Sequence, residues 1–293
     1  MERNIMIQDI GKHRIDPVYL PGAVLYKEDY IIGFEGKNVY LKEGQEKVEL
    51  LICEDILPIV YEKEAFEKYQ REAIFLMRVD GKPLYLLPEK YLSRQPKAKK
   101  EPLSIFRNGN PDYEAYAMIS AYHFYHWYKT TRFCGACGVR LKPGKEERSM
   151  VCPICGNVIY PRISPAVIAG IYHKDKILLT KYARPNSSYA LVAGYCEVGE
   201  TIEETVHREV MEETGVKIKN LRYYKSQPWA FSQSLLSGFF AELSGKEQIH
   251  LDTHELSQAK WVRRDELREY RQETGVSLTG EMIEYFRTHP EKF

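Results

Sequence analysis

Two Cys-x-x-Cys pairs, separated by fourteen residues, constrain what this chain can fold into more than any other feature of its sequence. In a reducing compartment this spacing indicates a metal site, because four converging thiolates complete the tetrahedral shell of Zn²⁺. Four cysteines leave no position for water, so we expect a structural ion. The alternative is two disulfides or four unrelated thiols. We predict a zinc ribbon with the ligands Cys134, Cys137, Cys152 and Cys155.

The ribbon alone leaves nucleic-acid binding, a spacer role and a dimer contact open. The whole chain has 42 Lys and Arg against 41 Asp and Glu, and this net charge of +1 argues against a globally basic nucleic-acid binder. A local patch is still compatible with it. The basic stretch Ser93–Pro102 is interpreted as an exposed connection, with nucleic-acid contact as the alternative.

The length of 293 residues suggests two domains, or one domain with an attached module. We predict an N-terminal α/β domain over residues 1–112, an aromatic-rich helix plus the ribbon over 113–160, and a mixed α/β domain over 161–293. The amino terminus leads into no apolar signal region, and no run of 18 or more apolar residues occurs. We therefore expect a cytoplasmic protein that does not bind a membrane.

One helix of the last domain has clear ends. Thr201 is placed to cap it, with Glu204 completing a capping box, and Gly215 supplies the stop. The helix is predicted over residues 201–214. Further strand patterns lie at 166–172, 177–182, 221–226, 237–243 and 259–263, and a second helix pattern lies at 279–288.

Three carboxylates share one face of this helix, since Glu209, Glu212 and Glu213 are spaced i, i+3 and i+4. At separations of about 5–6 Å and an effective dielectric near 20, each pair repels by roughly 3 kcal/mol before screening. Arg208, with Glu204 and Glu212 one turn away on either side, is not expected to neutralise them. Hard divalent cations are the natural partners of such oxygen ligands.

The alternative is a solvated acidic face. Against it, the three acids adjoin the apolar stripe Ile202, Val206 and Val210 and so lie beside the buried side of the helix. The helix is also preceded by a strand-like segment, Leu191–Ala193, and by a loop from Gly194. This order of strand, glycine turn and acidic helix predicts a pocket for a polyphosphate bridged by Mg²⁺ or Mn²⁺.

From Gly194 onward the residues read Gly-x5-Glu-x7-Arg-Glu-aliphatic-x-Glu-Glu-x-Gly-aliphatic. This string resembles the box of the Nudix family in every position. The resemblance implies an α/β/α sandwich that hydrolyses a nucleoside diphosphate linked to a further group. It also implies roles for the box. Glu209, Glu212 and Glu213 hold the metals with the Ala193 carbonyl, Arg208 orients the carboxylates, and Glu200 supports the loop or binds metal through water.

A second array surrounds Trp229, which lies sixteen residues after Glu213. Trp229 and Phe231 are suited to stacking a flat heterocycle, while Gln227 and the serines hydrogen-bond phosphate or ribose; a packed aromatic loop is the alternative. The array resembles a signature of bacterial NADH pyrophosphatases within the Nudix family, except that two of its prolines are Ala230 and Ser232 here. Its predicted substrate-binding members are Gln227, Pro228, Trp229, Ala230, Phe231, Ser232, Gln233 and Ser234.

The resemblance covers about residues 115–290 and implies further roles. Glu255 is a metal ligand or base, Tyr160 and Tyr195 face the nicotinamide or adenine, and Glu147 and Thr279 also contact substrate. For Glu147 the alternative is a solvated hairpin. The resemblance also suggests a homodimer with a shared site.

The predicted reaction is metal-dependent cleavage of NADH or NAD⁺ into nicotinamide mononucleotide and AMP. Removal of NAD caps from RNA 5′ ends needs the same bond cleavage and stays open. Other nucleotides such as ADP-ribose are further alternatives. A different class of function is a nucleic-acid-binding regulator that senses a nucleotide without cleaving it.

Overall fold

The computed structural model describes residues 6–42, 48–56, 63–107, 112–185, 187–270 and 276–293. Its contacts divide the chain into two compact units, which are described separately. The N-terminal unit comprises described residues from 9–107 and 112–162, so the helix and the ribbon group with the leading region. The C-terminal unit comprises residues 6–8 and described residues from 163–293. The three-part division at 112 and 160 stays a prediction.

A seven-stranded sheet forms the base of the N-terminal unit, in the order β1-β5-β6-β2-β3-β7 with β4 paired to β2. One helix, α1, lies between β4 and β5 in the chain. The elements are β1 Ile15–Asp16, β2 Tyr30–Glu35, β3 Asn38–Lys42, β4 Leu51–Ile52, α1 Lys63–Glu72, β5 Ile74–Val79, β6 Lys82–Leu86 and β7 Ala98–Pro102.

The interpretation of the basic stretch 93–102 as a connection is wrong for its second half. Residues 98–102 form the edge strand β7, which pairs antiparallel with β3. Lys100 forms an ion pair of 3.1 Å with Glu35. Lysines on an edge strand are a common protection against pairing with other chains, which explains a basic strand with no apolar pattern.

The aromatic-rich helix α2, Tyr113–Thr130, begins at the N-cap Asp112, whose side chain accepts from the Glu114 amide. Its rings pack within the unit: Phe34 of β2 lies with its ring centroid 5.5 Å from Tyr122 in an edge-on arrangement. The helix therefore uses aromatic side chains for core packing.

The ribbon follows α2 as three short antiparallel strands, β8 Lys142–Pro143, β9 Met150–Val151 and β10 Val158–Ile159. Within the same unit, Arg148 reaches from the ribbon to the N-terminal sheet and donates to the carbonyls of Leu76 at 2.5 Å and Val18 at 3.0 Å. Its guanidinium also lies 4.2 Å from the ring centroid of Phe124 on α2. One arginine thus joins ribbon, sheet and helix.

The C-terminal unit is built on a second seven-stranded sheet, in the order β13-β12-β11-β16-β15, with β14 paired to β11 and β17 paired to β12. The central pair β11 and β16 is parallel and the other pairs are antiparallel. The elements are β11 Ser164–His173, β12 Lys176–Tyr182, β13 Tyr189–Ala190, β14 Val192–Tyr195, α3 Ile202–Thr214, β15 Ile218–Trp229, β16 Ser234–Leu243, β17 Leu256–Arg263 and α4 Leu278–Thr288.

The two faces of this sheet are covered by different helices, because successive side chains of a strand point to opposite faces. On β11, Val167 belongs to the core that contains Val206 of α3, whereas the adjacent Ile168 belongs to the core that contains Phe286 of α4. The unit is therefore an α/β/α sandwich, and the predicted fold class is confirmed. Among the described residues, no helix is long and apolar enough to cross a membrane.

Candidate active site and zinc ribbon

Helix α3 begins and ends as its sequence predicts. The Thr201 hydroxyl accepts from the Glu204 amide at 3.2 Å, and the Glu204 carboxylate accepts from the Thr201 amide at 2.8 Å. Gly215 ends the helix at a left-handed φ of 67°. This reciprocal cap at one end and glycine stop at the other set the register that places the acids.

Glu209 packs against Gly194 of β14, a position that has room only for glycine. A Cβ added to Gly194 of β14 would stand 1.9 Å from the Glu209 carboxyl carbon, so any larger residue would displace this carboxylate. The side chain is nearly enclosed, and its burial raises the pKa of Glu209. The glycine turn and the first box glutamate are thus one packed unit.

Glu213 is the most deeply buried acid of the helix, with 2% of its surface exposed. Neither of its carboxylate oxygens has a hydrogen-bond partner among the described residues. Burial, followed by the charges of Glu209, Glu255 and Asp252, raises its pKa to about 8. Buried carboxylates are ordinarily hydrogen-bonded or paired, so these two oxygens point to a cation that completes the site.

Arg208 pairs with a different set of acids than the helical spacing suggested. Its guanidinium donates to both oxygens of Glu200, at 2.5 and 3.0 Å, and to Glu209 at 2.8 Å and Glu212 at 2.9 Å. The hydrogen bonds that Glu200 accepts from Arg208, followed by the one from the Glu197 backbone N–H, lower the pKa of Glu200 to about 2. Glu204 is occupied by the helix cap instead.

The site has the donor chemistry of a divalent-cation site, but its oxygens are spread out. Among the described residues, the four cysteines form the one group of three or more potential ligands with donor atoms within 4.8 Å of one another. Glu212 and Glu255 are exposed, and the Ala193 carbonyl accepts from the Tyr182 hydroxyl at 3.4 Å. The unpartnered oxygens of Glu213 and the Glu209 carboxylate packed against Gly194 are ligands of the kind that a hard divalent cation prefers.

Two residues at this site were missed by the sequence analysis. Asp252 donates its backbone N–H to the Glu213 carbonyl at 3.1 Å, and its charge acts on the Glu213 carboxylate. Tyr182 of β12 is held beside Ala193, and burial followed by the charge of Glu213 raises its pKa to about 12. Neither lies in a motif, and only the folding of distant segments brings them to α3.

Gln227, which was predicted to bind substrate, uses its side chain for contacts within the C-terminal unit. Its side chain is completely buried in β15, donates to Gln8 and the Val276 carbonyl at 2.9 Å each, and accepts from the Leu278 amide at 2.7 Å. These bonds use the amide at both ends. Gln227 therefore joins β15 to the start of α4 and to the segment at Gln8.

The rest of the array spans the end of β15, a tight turn and the start of β16, so its Gln-Pro-Trp part is strand and not loop. Pro228 is exposed on an edge strand, where proline is tolerated. Trp229 and Phe231 lie with ring centroids 4.8 Å apart, and the hydroxyls of Ser232 and Ser234 are 2.6 Å apart. Ala230 is buried, and Gln233 turns the chain at a φ of 56°.

The remaining predicted contacts fall in both units. In the N-terminal unit, the Tyr160 hydroxyl donates to Glu147 at 2.5 Å, so these two residues are brought together. In the C-terminal unit, Tyr195 is half exposed and its carbonyl accepts from Arg208, while Thr279 lies in the first turn of α4. Their roles toward a substrate stay predictions.

The four ribbon cysteines converge as a zinc site requires. The sulfur atoms of Cys137 and Cys152 are 3.4 Å apart and those of Cys134 and Cys155 are 3.6 Å apart, far beyond a disulfide bond. Backbone N–H groups, with that of Ala136 first, lower the pKa of Cys134 to about 6, which favours the thiolate. The set fits a structural Zn²⁺ ion.

Loss of one thiolate should release this zinc. We expect Cys134→Ser to reduce the bound zinc measured by mass spectrometry to well below one ion per chain. Trp127 packs against Cys134 and Cys152, so its fluorescence should shift to the red as the ribbon core opens. Cys196→Ser, outside the ribbon, is the control and should keep the wild-type zinc content. Undiminished zinc in Cys134→Ser would contradict the four-cysteine site.

The raised pKa of Glu213 predicts that stability falls with rising pH when no Mg²⁺ or Mn²⁺ is added. Between the ordinary pKa of 4.5 and about 8 the folded chain holds a proton that the unfolded chain has released. The free energy of unfolding should therefore fall across this window, by on the order of 3 kcal/mol. Urea denaturation from about pH 5 to about pH 8 measures it. Glu213→Gln should flatten the dependence and Glu203→Gln should not; equal slopes in all three proteins would refute the assignment.

Comparisons with known proteins agree with this architecture. Residues 162–286 match the model of the NUDIX domain, and residues 129–160 match that of the NADH pyrophosphatase zinc ribbon domain. Proteins named NAD-capped RNA hydrolase NudC, from Salmonella typhi and Salmonella heidelberg, are each 47% identical over 142 residues, which are 48% of this chain and 55% of theirs. The chain thus spans about half the length of these curated relatives.

A solved structure of a NUDIX hydrolase from Nitrosomonas europaea superposes with a TM-score of 0.46 at 21% identity, and the match covers 53% of this chain and 90% of that one. Together with the family models, the packed box helix and the four converging cysteines identify the two modules. The chain contains a Nudix domain over residues 162–286, preceded by a zinc ribbon domain of the NADH pyrophosphatase kind over residues 129–160.

Proposed function

We propose that this protein hydrolyses the diphosphate bond of NADH or NAD⁺ and releases nicotinamide mononucleotide and AMP. The observation that carries the proposal is the buried Glu213 carboxylate, which has no hydrogen-bond partner among the described residues and stands among the charges of Glu209, Glu255 and Asp252. Such an arrangement is costly in a purely structural role. It suits a site that gains its countercharge when metal and substrate bind.

The residues proposed to hold Mg²⁺ or Mn²⁺ are Glu209, Glu212, Glu213 and Glu255, with the Ala193 carbonyl. When bound, such ions neutralise the diphosphate and lower the pKa of a water molecule that attacks phosphorus. Glu209 is held on Gly194, and Glu213 is enclosed by the sheet, so two of the four carboxylates have fixed positions. Fixed ligands of this kind reduce the reorganisation required when charge develops in the reaction.

Arg208 is proposed to position the acids and not to contact substrate. Its guanidinium is already occupied by Glu200, Glu209, Glu212 and the Tyr195 carbonyl. Through these bonds it joins the loop after β14 to the helix. The positive charge of Arg208 thereby offsets the repulsion among Glu200, Glu209 and Glu212. Glu213 has no such counterion among the described residues, and the metal is proposed to supply it.

The nicotinamide or adenine ring is proposed to lie against Trp229 and Phe231, which already form a tilted aromatic pair. The hydroxyls of Ser232 and Ser234 supply polar groups next to this pair. Tyr195, with half of its surface exposed, and Thr279 are proposed as further contacts. Tyr160 and Glu147 are proposed to contact substrate as a pair, because the Tyr160 hydroxyl donates a hydrogen bond to the Glu147 carboxylate.

Removal of an NAD cap from RNA is the second substrate proposed for the same site. The observation that favours it is the name of the relatives, NAD-capped RNA hydrolase, at 47% identity over the matched 142 residues. The bond cleaved is the same, so the box residues have the same tasks. The net charge of +1 requires that any contact with the RNA chain be local.

Incubation of the protein with NADH, NAD-capped RNA or ADP-ribose and Mn²⁺, followed by mass spectrometry, tests both the reaction and its substrate. We expect mononucleotide products from NADH. Glu213→Gln should lower kcat on the order of 100-fold or more, because a fixed ligand at the reacting centre is lost. Gly194→Ala should give a similar loss, since its methyl group displaces Glu209.

The control is Glu203→Gln, an exposed glutamate of the same helix, which should keep the wild-type rate. Cleavage of ADP-ribose alone would refute the NAD(H) assignment but keep the hydrolysis. No product from any of the three substrates would refute hydrolysis and favour a sensor.

We further propose a cytoplasmic homodimer. None of the six cysteines forms a disulfide, which suits a reducing compartment. The ribbon also exposes three large apolar side chains, those of Phe133, Ile154 and Val158, which contact with a second copy would bury. Light scattering after size exclusion should give twice the chain mass, and Ile154→Asp should shift it toward the monomer while Lys145→Asp should not. A monomeric wild-type protein at micromolar concentration would contradict the dimer.

A further inference from the structure

One cavity lies entirely within the N-terminal unit, where the ribbon meets the leading sheet. Its volume is about 940 Å³, and its lining residues come from the segment before β2, from helix α1, from the end of α2 and from the ribbon. A cavity of this size is large enough for a small-molecule ligand. No residue of the box helix or of the 226–234 array takes part in it.

The polar lining of this cavity is cationic. Three arginines, Arg71, Arg132 and Arg140, line it, against the single carboxylate Glu67. All three are exposed, and none of them forms an ion pair within 4.0 Å among the described residues. Three arginines against one carboxylate give the cavity lining a net positive charge, which favours an anionic ligand.

A fourth cation strengthens the positive field. Arg148 stands behind the cavity wall, with its guanidinium 5.3 Å from the ring centroid of Tyr19, one of the lining residues. Its hydrogen bonds run to backbone carbonyls, those of Val18, Phe75 and Leu76 among them, and no carboxylate of the described chain neutralises it. Because the partners of Arg148 are neutral carbonyls and aromatic side chains, its positive charge adds to that of the cavity wall.

The remaining lining is apolar and aromatic. Val24 and Ile74 are exposed aliphatic side chains on its wall, and the rings of Tyr19 and Tyr128 stand with them. Arginine forks match phosphate oxygens in bidentate geometry, while flat apolar walls favour a ring. The combination of several unpaired arginines with aromatic walls selects a ligand that carries more than one negative charge and a planar group.

We propose that this cavity is a second binding site, for the phosphate groups of a nucleotide, held by Arg71, Arg132 and Arg140. The phosphates come either from a free nucleoside polyphosphate or from the backbone of single-stranded RNA. The site is independent of the proposed hydrolysis, because it lies in the N-terminal unit and uses none of the box carboxylates.

Calorimetry without added Mg²⁺ or Mn²⁺ tests the site apart from metal-dependent binding at the box helix. The probes are inorganic pyrophosphate, ATP and a ten-nucleotide single-stranded RNA. We expect binding that weakens with added salt, as contacts between charges do. Each arginine removed should weaken it by about tenfold, the usual effect of losing one charge-assisted hydrogen bond.

The variants are Arg71→Ala, Arg132→Ala and Arg140→Ala, singly and combined. Arg94→Ala, an exposed arginine of the same unit that does not line the cavity, is the matched control and should bind as the wild type does. Because the three arginines are exposed, the variants should keep the wild-type melting temperature. Replacement of all three by lysine keeps the charge and should restore part of the affinity.

ATP and pyrophosphate binding that depends on the three arginines identifies a nucleotide site. RNA binding with the same dependence, without ATP binding, identifies the RNA backbone as the source of the phosphates. No binding of any probe at millimolar concentration overturns the proposal, and so does binding that the triple alanine variant leaves unchanged. Neither of these negative results bears on NADH cleavage, which is measured separately.

Discussion

The burial of the Glu213 carboxyl group is the constraint on which the C-terminal unit depends. Its carboxylate is enclosed by α3 and the sheet and has no hydrogen-bond partner among the described residues, while Glu209 and Glu255 act on it with the same sign. The Glu209 carboxylate occupies the space that a side chain at position 194 would need. Arg208 donates hydrogen bonds to Glu209 and Glu212. The sandwich thus stores an electrostatic cost at one point, where a divalent cation gives the largest gain.

Local signals in the sequence predicted the parts of this arrangement that are themselves local. Thr201, Glu204 and Gly215 lie within one helix, so their capping follows from spacing alone. The zinc site was predictable from spacing for the same reason, because each Cys-x-x-Cys turn places two sulfur atoms on one side. The box motif predicted the order of strand, turn and helix, and its resemblance to the Nudix family implied the sandwich fold.

The errors have a common physical cause, which is that tertiary contacts override the local pattern. Helical spacing placed Glu204 and Glu212 beside Arg208, and Glu212 does pair with it, but the loop brings Glu200 into bidentate reach while Glu204 caps the helix. Gln227 was predicted to hydrogen-bond phosphate or ribose, yet its amide bonds to Gln8 and to backbone groups around the start of α4. Asp252 and Tyr182 could not be found from spacing, because no motif links them to α3.

The position of Arg148 makes zinc binding and the leading sheet thermodynamically linked. The arginine is carried by the ribbon between the second and third cysteine ligands, and it donates to carbonyls of the sheet. When the ribbon binds zinc, it therefore holds the Arg148 side chain in place against the sheet. By reciprocity, an intact sheet raises the zinc affinity of the ribbon. The affinity for the metal is thus a property of the whole N-terminal unit, and truncating the leading sheet should lower it even though all four thiolates remain.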